Sequence, residues 1–186
     1  MIASQPTRIN LKLRDLAQLF NSMDPSPFLE RDLDGDAEEF IVSSSRELPS
    51  GGEFELVVHL ANAPEPERAA NTEDAVRHYF ANRAELKRCE FRLLLRRGRR
   101  SLIVGVLFLA VCLTLSGLAV RLNYEPVAGM VRTSLSIVGW VAMWRPLEIY
   151  LYDWWPLREE WQNLRRLARM RVRLVLPPAA GPGPTQ

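Results

Sequence analysis

The chain is poor in the residues from which most recognisable chemistry is assembled. Among its 186 residues there are two cysteines, Cys89 and Cys112, and two histidines, His59 and His78. Neither histidine has a nearby cysteine or a recognisable acid–base companion in sequence, so each reads as an ordinary surface or half-buried histidine. Cys112 falls inside an apolar run and Cys89 lies before an arginine cluster. That makes them a poor disulfide pair, and nothing in their placement calls for an oxidising compartment. There is no glycine-rich phosphate loop, no nucleophile elbow and no paired-cysteine metal motif. No catalytic residue, cofactor or metal ligand is therefore expected. Lysine is nearly missing as well: of 24 basic residues only Lys12 and Lys87 are lysine, an imbalance that carries no functional weight. Residues 1–13 alternate apolar with polar side chains and contain no apolar core segment, so no secretory signal is expected there.

What the chain does have is a run of twenty residues, 101–120, without a charge, bounded by Arg96, Arg97, Arg99 and Arg100 on one side and Arg121 on the other. A helix of that length spans roughly 30 Å, the thickness of a bilayer's hydrocarbon core. The formal charge of +2 conceals an asymmetry: residues 1–90 carry 10 basic and 17 acidic side chains, net −7, and residues 91–186 carry 14 basic and 5 acidic, net +9. The basic half is the membrane half. Positive charge marks the cytoplasmic flank of a membrane helix, and Arg88, Arg92, Arg96, Arg97, Arg99 and Arg100 precede the first span, which places the N-terminal half in the cytoplasm.

A second apolar run begins near Val131, after a short loop, 121–130, that contains Asn123 and Pro126 and suits a helical hairpin. Its uncharged stretch, 133–144, is twelve residues and is broken by Arg145, Pro146 and Glu148. Twelve residues are too few to cross unaided. Continued through Ile149 and Tyr150 to Trp154 and Trp155, the helix becomes long enough and sets its tryptophans at interfacial depth. The alternative turns the chain at Pro146 into an interfacial helix whose apolar stripe is Tyr150, Trp154, Leu157, Trp161, Leu164 and Ala168. The two combine if a span ends near Trp155 and a basic juxtamembrane or interfacial helix follows over 156–176. The tail 177–186, dominated by Pro, Gly and Ala, reads as disordered.

In the soluble half, Ile9, Leu11 and Leu13 alternate with polar residues, as do Phe54, Leu56, Val58 and Leu60, the period-two signature of half-buried strands. Pairing would set Arg8 and Lys12 against Glu53 and Glu55. Between the strands the pattern predicts a short helix over 14–21, a proline-rich turn at Asp24-Pro25-Ser26-Pro27, and a helix over 36–48 burying Ala37, Phe40, Ile41 and Leu48, stopped by Pro49-Ser50-Gly51-Gly52. After a loop over 61–71, a helix from Thr72 presents Ala75, Tyr79, Asn82, Leu86, Cys89 and Leu93 on one face, to the sheet or to a partner helix. It runs into the first span, with Gly98 as the place to bend. Two strands alone are marginal in water, so completion of the sheet by a second copy or another protein is the expected remedy.

The segment Asp32-Leu33-Asp34-Gly35-Asp36 offers alternating carboxylates like a calcium loop, but its glycine stands fourth rather than sixth and Ser43 occupies the twelfth position. Helix capping by Asp34 or Asp36 explains it better. Arg145 and Glu148 are spaced i, i+3 and can meet on one helix face, where an intramembrane charge needs a partner. An interhelical or interfacial structural role is preferred to transport, since two spans enclose no pathway. Arg145, Pro146, Glu148, Asp153, Trp154, Trp155 and Trp161 are the candidate membrane- or partner-binding residues. Arg96, Arg97, Arg99, Arg100, Arg165, Arg166 and Arg169 are the candidate lipid-headgroup contacts. Ser136, Gly139 and Ala142 in the second span, with Cys112 and Ser116 in the first, permit close helix contact.

The run Trp144-Arg145-Pro146-Leu147-Glu148-Ile149-Tyr150-Leu151-Tyr152-Asp153-Trp154-Trp155-Pro156, with Pro25-Ser26-Pro27-Phe28 and Asp32-Leu33-Asp34, resembles a group of uncharacterised two-span bacterial membrane proteins. The resemblance implies a bacterial inner-membrane location and no reaction. The resulting expectation is an α+β protein: a cytosolic acidic domain over 1–95, a transmembrane hairpin over 96–155 with spans at about 101–120 and 133–155, the basic helix and the tail. Both termini are expected in the cytoplasm. Its expected role is non-enzymatic, as an anchoring, assembly or accessory subunit. The alternatives are a subunit of an oligomeric transport or signalling complex using Arg145 and Glu148, or a membrane-bound enzyme using His59 or His78. Expected partners are membrane lipids and either a second copy or another membrane or cytosolic protein, with no nucleic acid.

Overall fold

A computed structural model describes residues 7–48, 53–121 and 125–176. The chain forms two compact units, one made of Met1–Leu86 together with Glu160–Gln186, the other of Lys87–Glu159. The stop at Pro49 to Gly52, residues 122–124 and the 177–186 tail lie outside the described residues; the loop expected over 121–130 is shorter than its sequence suggests, since one helix runs to Arg121 and the next begins at Glu125.

In the first unit, the alternating segments form β1 (Thr7–Leu13) and β2 (Phe54–Leu60), paired in parallel with Arg8 opposite Glu55 and Lys12 opposite His59. A third strand, β3 (Arg171–Val175), adds in parallel on the other side of β2, giving the order β1-β2-β3. Arg171 and Arg173 alternate with Val172 and Leu174, so the segment has the period of a strand. The basic helix expected over 156–176 is corrected accordingly: the helix stops at Leu167 and the chain turns into the sheet. The sheet that seemed to need a second chain is completed from within. Glu55, 7% exposed in the central strand, accepts from Arg8 Nε at 2.8 Å and lies 3.5 Å from Arg173 Nε. One carboxylate thus joins all three strands, and the expected pairing of Arg8 with Glu55 is present.

The helix α1 (Gly35–Glu47) crosses from β1 to β2. Asp34 caps it, its Oδ1 accepting from the Asp36 N–H at 3.1 Å, and Asp36 and Glu38 sit in its first turn, where a negative charge favours the helix dipole. Its buried stripe is Ala37, Ile41 and Ser45; Phe40, expected inside, is 43% exposed because it lies about 100° around the helix from Ile41. The segment read as a helix over 14–21 is a single 3-10 turn, Leu16–Leu19, boxed by Asp15 and Gln18. A second 3-10 turn, Phe28–Glu30, follows the proline-rich bend. The Asp24 carboxylate holds that bend by accepting from the backbone N–H groups of Asp32 and Ser26, at 2.8 and 2.9 Å. Those bonds, the one from Asp32 foremost, hold its pKa below the ordinary carboxylate value.

The long helix α2 (Pro66–Arg121) begins before Thr72 because Pro66 takes the first position, where its missing N–H costs nothing, and Glu67 joins it in the first turn. Ala75, Val76, Tyr79, Phe80 and Ala84 pack onto the sheet. Asn82, Leu86, Cys89 and Leu93 stay exposed, so the stripe read with the period of a coiled coil divides after Tyr79. From the far end of the sequence, α4 (Trp154–Leu167) contributes Leu164 and Leu167, and Met170 follows; Leu167 and Met170 are 0% exposed.

A core residue of the α/β unit that follows the apolar segments makes a sharp test. Leu167→Ala is expected to destabilise that unit by about 2–5 kcal/mol, as for a fully buried leucine, measured as a lower urea midpoint for protease resistance of residues 7–86. A leucine on the lipid-facing side of a surface helix would leave that midpoint in place.

Candidate functional site

Within the unit Lys87–Glu159, α3 (Glu125–Glu148) lies close against the apolar stretch of α2, and the glycines explain how. A Cβ at Gly98 would come 2.8 Å from Ile149 Cγ2; at Gly105, 3.2 Å from Met143 Sδ and 3.3 Å from the Ala142 carbonyl oxygen; at Gly139, 2.8 Å from Leu109 Cδ1. As the position on α2 rises from 98 to 109, its partner falls from 149 to 139, so the two helices run antiparallel. Gly98 is therefore a point of close approach and not a bend: α2 is one helix through it. Cys112 and Ser116 are buried, and Cys112 lies on this same face, beside Gly139. Small residues at such a seam let backbones approach where side chains would hold them apart.

The chain does not turn at Pro146. Pro146 stays inside α3, fully buried, and helical geometry continues through a π-helical segment, Ile149–Asp153, into α4. Proline removes the N–H that would bond the carbonyl four residues back, which here is that of Ala142. The freed carbonyl is the one a side chain at Gly105 would press against. Wide π turns relieve such interruptions and recur at functional positions.

This junction collects five of the seven candidate membrane- or partner-binding residues. Arg145 Nη1 donates to Glu148 Oε2 at 2.8 Å and stands 3.9 Å from Asp153 Oδ2. Trp154 Nε1 donates to the Tyr150 carbonyl at 2.8 Å, its ring meets that of Trp155 edge-on, and Arg158 lies over it at 5.5 Å. Pro146, the sixth, is fully buried. Trp161 is set apart: it packs against the α/β core, with Arg165 over its ring at 5.7 Å. Of the candidate headgroup contacts, Arg166 stacks on Phe54 at 4.2 Å, and Arg169 is exposed on the α/β unit. Arg96, Arg97, Arg99 and Arg100 are exposed and make no ion pair with any described residue.

By length and composition, one helix among the described residues is able to cross a membrane; its apolar window lies within Pro66–Leu118 and only 17% of it is buried. Ile103, Val104, Leu107 and Leu118 are each more than half exposed, as are Trp140, Val141 and Trp144 on α3. Water disfavours an apolar surface of that extent.

A polar cluster that sequence patterns did not reveal lies in the α/β unit. Glu38 of α1 accepts from the Tyr79 hydroxyl at 2.7 Å and from Arg83 at 2.9 Å, both on α2. Burial, and then the Glu38 carboxylate, push the Tyr79 hydroxyl pKa well above its ordinary value. The i, i+4 spacing of Tyr79 and Arg83 was visible; their common acceptor, 41 residues earlier for Tyr79, was not. The cluster has the geometry of a clamp between α1 and α2. His59 stands in β2 opposite Lys12 and Val175, and His78 is exposed on α2. Among the described residues no group of three His, Cys, Asp or Glu could hold a metal.

Tyr79→Phe and Arg83→Ala are each expected to cost about 1 kcal/mol of stability, and to combine non-additively in a double-mutant cycle because they share one carboxylate. As the folded pKa of Tyr79 is raised, its contribution is intact below pH 10 and declines as pH climbs past the ordinary value of 10.0. Tyrosinate absorbance during alkaline titration should show this residue ionising only with unfolding. In the other unit, Gly105→Leu is expected to cost about 1–3 kcal/mol by overpacking. Gly117→Leu, whose Cβ meets nothing within 4 Å, should be silent when both variants are unfolded from mild micelles by a denaturing detergent.

Comparison with protein-family models, with curated proteins and with solved structures finds no match to this chain.

Proposed function

We propose that the protein is a non-enzymatic membrane component in which a cytosolic α/β domain is carried on a two-span helical hairpin, serving as an anchoring, assembly or accessory subunit. The observation that supports this most directly is the origin of the sheet. Its strands β1 and β2 precede the apolar segments and β3 follows them. A hydrogen-bonded sheet cannot be divided by a bilayer, so the chain between Arg121 and Arg171 must return to the side it left. If the apolar part of α2 crosses, α3 and the π segment cross back. That return supports a second span where composition alone leaves one short, because Arg145 and Glu148 interrupt the apolar run.

Arginine counts favour the cytoplasmic side for the domain: Arg92, Arg96, Arg97, Arg99 and Arg100 stand at that end of α2, against Arg121 and Arg132 at the other end. In a bacterial cell, as the family resemblance implies, the membrane is the inner one. Within the hairpin, Arg145 paired with Glu148 beside Asp153 closes its charge locally, which suits a fixed depth at the interface and not a conduction path. The tryptophans at 154 and 155 mark the same level.

Single-cysteine labelling in sealed spheroplasts tests the arrangement. In a Cys89→Ser, Cys112→Ser background, Asn123→Cys should react with a membrane-impermeant maleimide added outside. Native Cys89, kept alone, should react only after permeabilisation. Asn123→Cys and Cys89 both sealed from the outside would remove the hairpin, and Asn123→Cys sealed with Cys89 open would reverse the orientation.

A further inference from the structure

The sheet of the α/β unit is covered on one face. Its core cluster takes Ile9, Leu11, Leu56 and Val58 from the strands, together with residues of α1, α2 and α4, and includes neither Val57 nor Val175. All three strands are parallel, and parallel sheets are as a rule covered on both faces. The second face is a grid in register: Arg8, Glu55 and Arg171 form one row, Asn10, Val57 and Arg173 the next, and Lys12, His59 and Val175 the third. Four cations stand there against one carboxylate, net +3, and the face stays positive when Glu53, just before β2, is counted. The unit as a whole is net −4. Glu55 is already shared by Arg8 and Arg173, whose side chains are both 61% exposed. Lys12 and Arg171, exposed at opposite corners of the grid, have no acidic partner among the described residues. No Phe, Tyr or Trp stands on this face, which removes the stacking platform on which open sheets hold single-stranded nucleic acid.

The complementary surface is on α1. Its inner stripe is Ala37, Ile41 and Ser45, and its other side exposes Asp36, Glu39, Phe40 and Glu47. Those three carboxylates are in no ion pair among the described residues, and Phe40, 43% exposed, sets an aromatic ring among them. The spans agree. From Asp36 to Glu47 the helix rises roughly 16 Å. Lys12 and Arg171 stand four residues apart along the strands and two strands apart across them, a diagonal of roughly 16 Å, with Val57 at its middle.

We propose that α1 of one copy of this chain covers the open sheet face of another, its carboxylates on Lys12 and Arg171 and Phe40 over Val57 and the arginine stems. A guanidinium against an aromatic ring adds a cation–π attraction to the ion pairs. Within one copy α1 packs on the covered face of the sheet, so the giving and receiving surfaces lie on opposite sides. The contact is therefore heterologous and builds a row, or a ring of three or more copies, and not a two-fold dimer. This rests on the assembly reading above and supplies its partner, a second copy of the chain. Both surfaces belong to the α/β unit, so the hairpin is judged separately, by the cysteine labelling.

Sedimentation velocity of the full-length protein in mild detergent tests this. The wild type is expected to form species of three or more copies that come apart toward about 1 M salt, where the screening length falls to about 3 Å. Lys12→Glu with Arg171→Glu, and separately Glu39→Lys with Glu47→Lys, should each weaken association by about a hundredfold, because like charges then face each other. An equimolar mixture of the two double variants should recover it, since each carries the surface the other needs. Phe40→Ala, which leaves every charge in place, should weaken association by about tenfold, so the interface is also tested without reversed charges. A monomeric or strictly dimeric wild type, reversed variants that assemble as the wild type does, a mixture of folded variants that stays apart, or an unaffected Phe40→Ala would each overturn the contact. The open face would then belong to another acidic protein, a nucleic acid or the lipid surface.

Discussion

The pairing of β2 with β3 is the constraint on which the rest depends. It brings Arg171–Val175 beside Phe54–Leu60 across more than a hundred residues of intervening chain, and by doing so makes Lys87–Glu159 an insertion within a single α/β unit. Glu55 is the chemical expression of that closure. In the most buried strand it is 7% exposed, with Arg8 on one side and Arg173 on the other. A carboxylate in that position is tolerable only when paired, and its partners come from the two ends of the chain. The loop that must be closed to form β2–β3 is long, yet its entropic cost grows only with the logarithm of its length. If the inserted helices associate first, they shorten the loop that remains.

That association rests on absent side chains. Gly98, Gly105 and Gly139 each stand where a Cβ would press on a neighbour, so α2 and α3 meet nearly backbone to backbone. In lipid there is no hydrophobic drive for two apolar helices to pair, and close packing with small residues takes its place. Pro146 belongs to the same design. It frees the Ala142 carbonyl at the seam, opposite Gly105, and the π segment that follows gathers Arg145, Glu148 and Asp153 on one stretch of helix. A seam and a charge cluster are thus two results of one local interruption.

The strands β1 and β2, the cap at Asp34 and the apolar run of α2 were legible because each follows from neighbours a few residues apart. β3 was not, although Arg171-Val172-Arg173-Leu174 alternates as plainly as β1 does. Beside a membrane segment, a row of arginines has a ready lipid explanation, and period two over five residues cannot displace it. Gly98 was visible as a glycine in a helix but its reason was not, since Ile149 lies fifty residues on. Glu38 with Tyr79 and Arg83 share that property: every residue has an unremarkable local role, and the grouping exists only after folding. The Trp161 to Ala168 stripe was read correctly as an apolar face, and its partner was wrongly chosen, because amphipathicity reports that a face is buried without saying against what.

The division of charge follows from the same correction. Cutting the sequence at residue 90 opposes an acidic half to a basic half, but folding cuts it elsewhere. Met1–Leu86 with Glu160–Gln186 holds 13 basic and 17 acidic side chains, net −4, and Lys87–Glu159 holds 11 basic and 5 acidic, net +6. The arginines of α4 and β3 therefore serve first within the α/β unit, Arg173 at Glu55, Arg166 on Phe54 and Arg165 on Trp161. In the other unit, the run Arg96, Arg97, Arg99 and Arg100 is left without an acidic partner among the described residues. Under the proposed membrane placement, anionic lipid would attract the unit of net +6 and repel the unit of net −4.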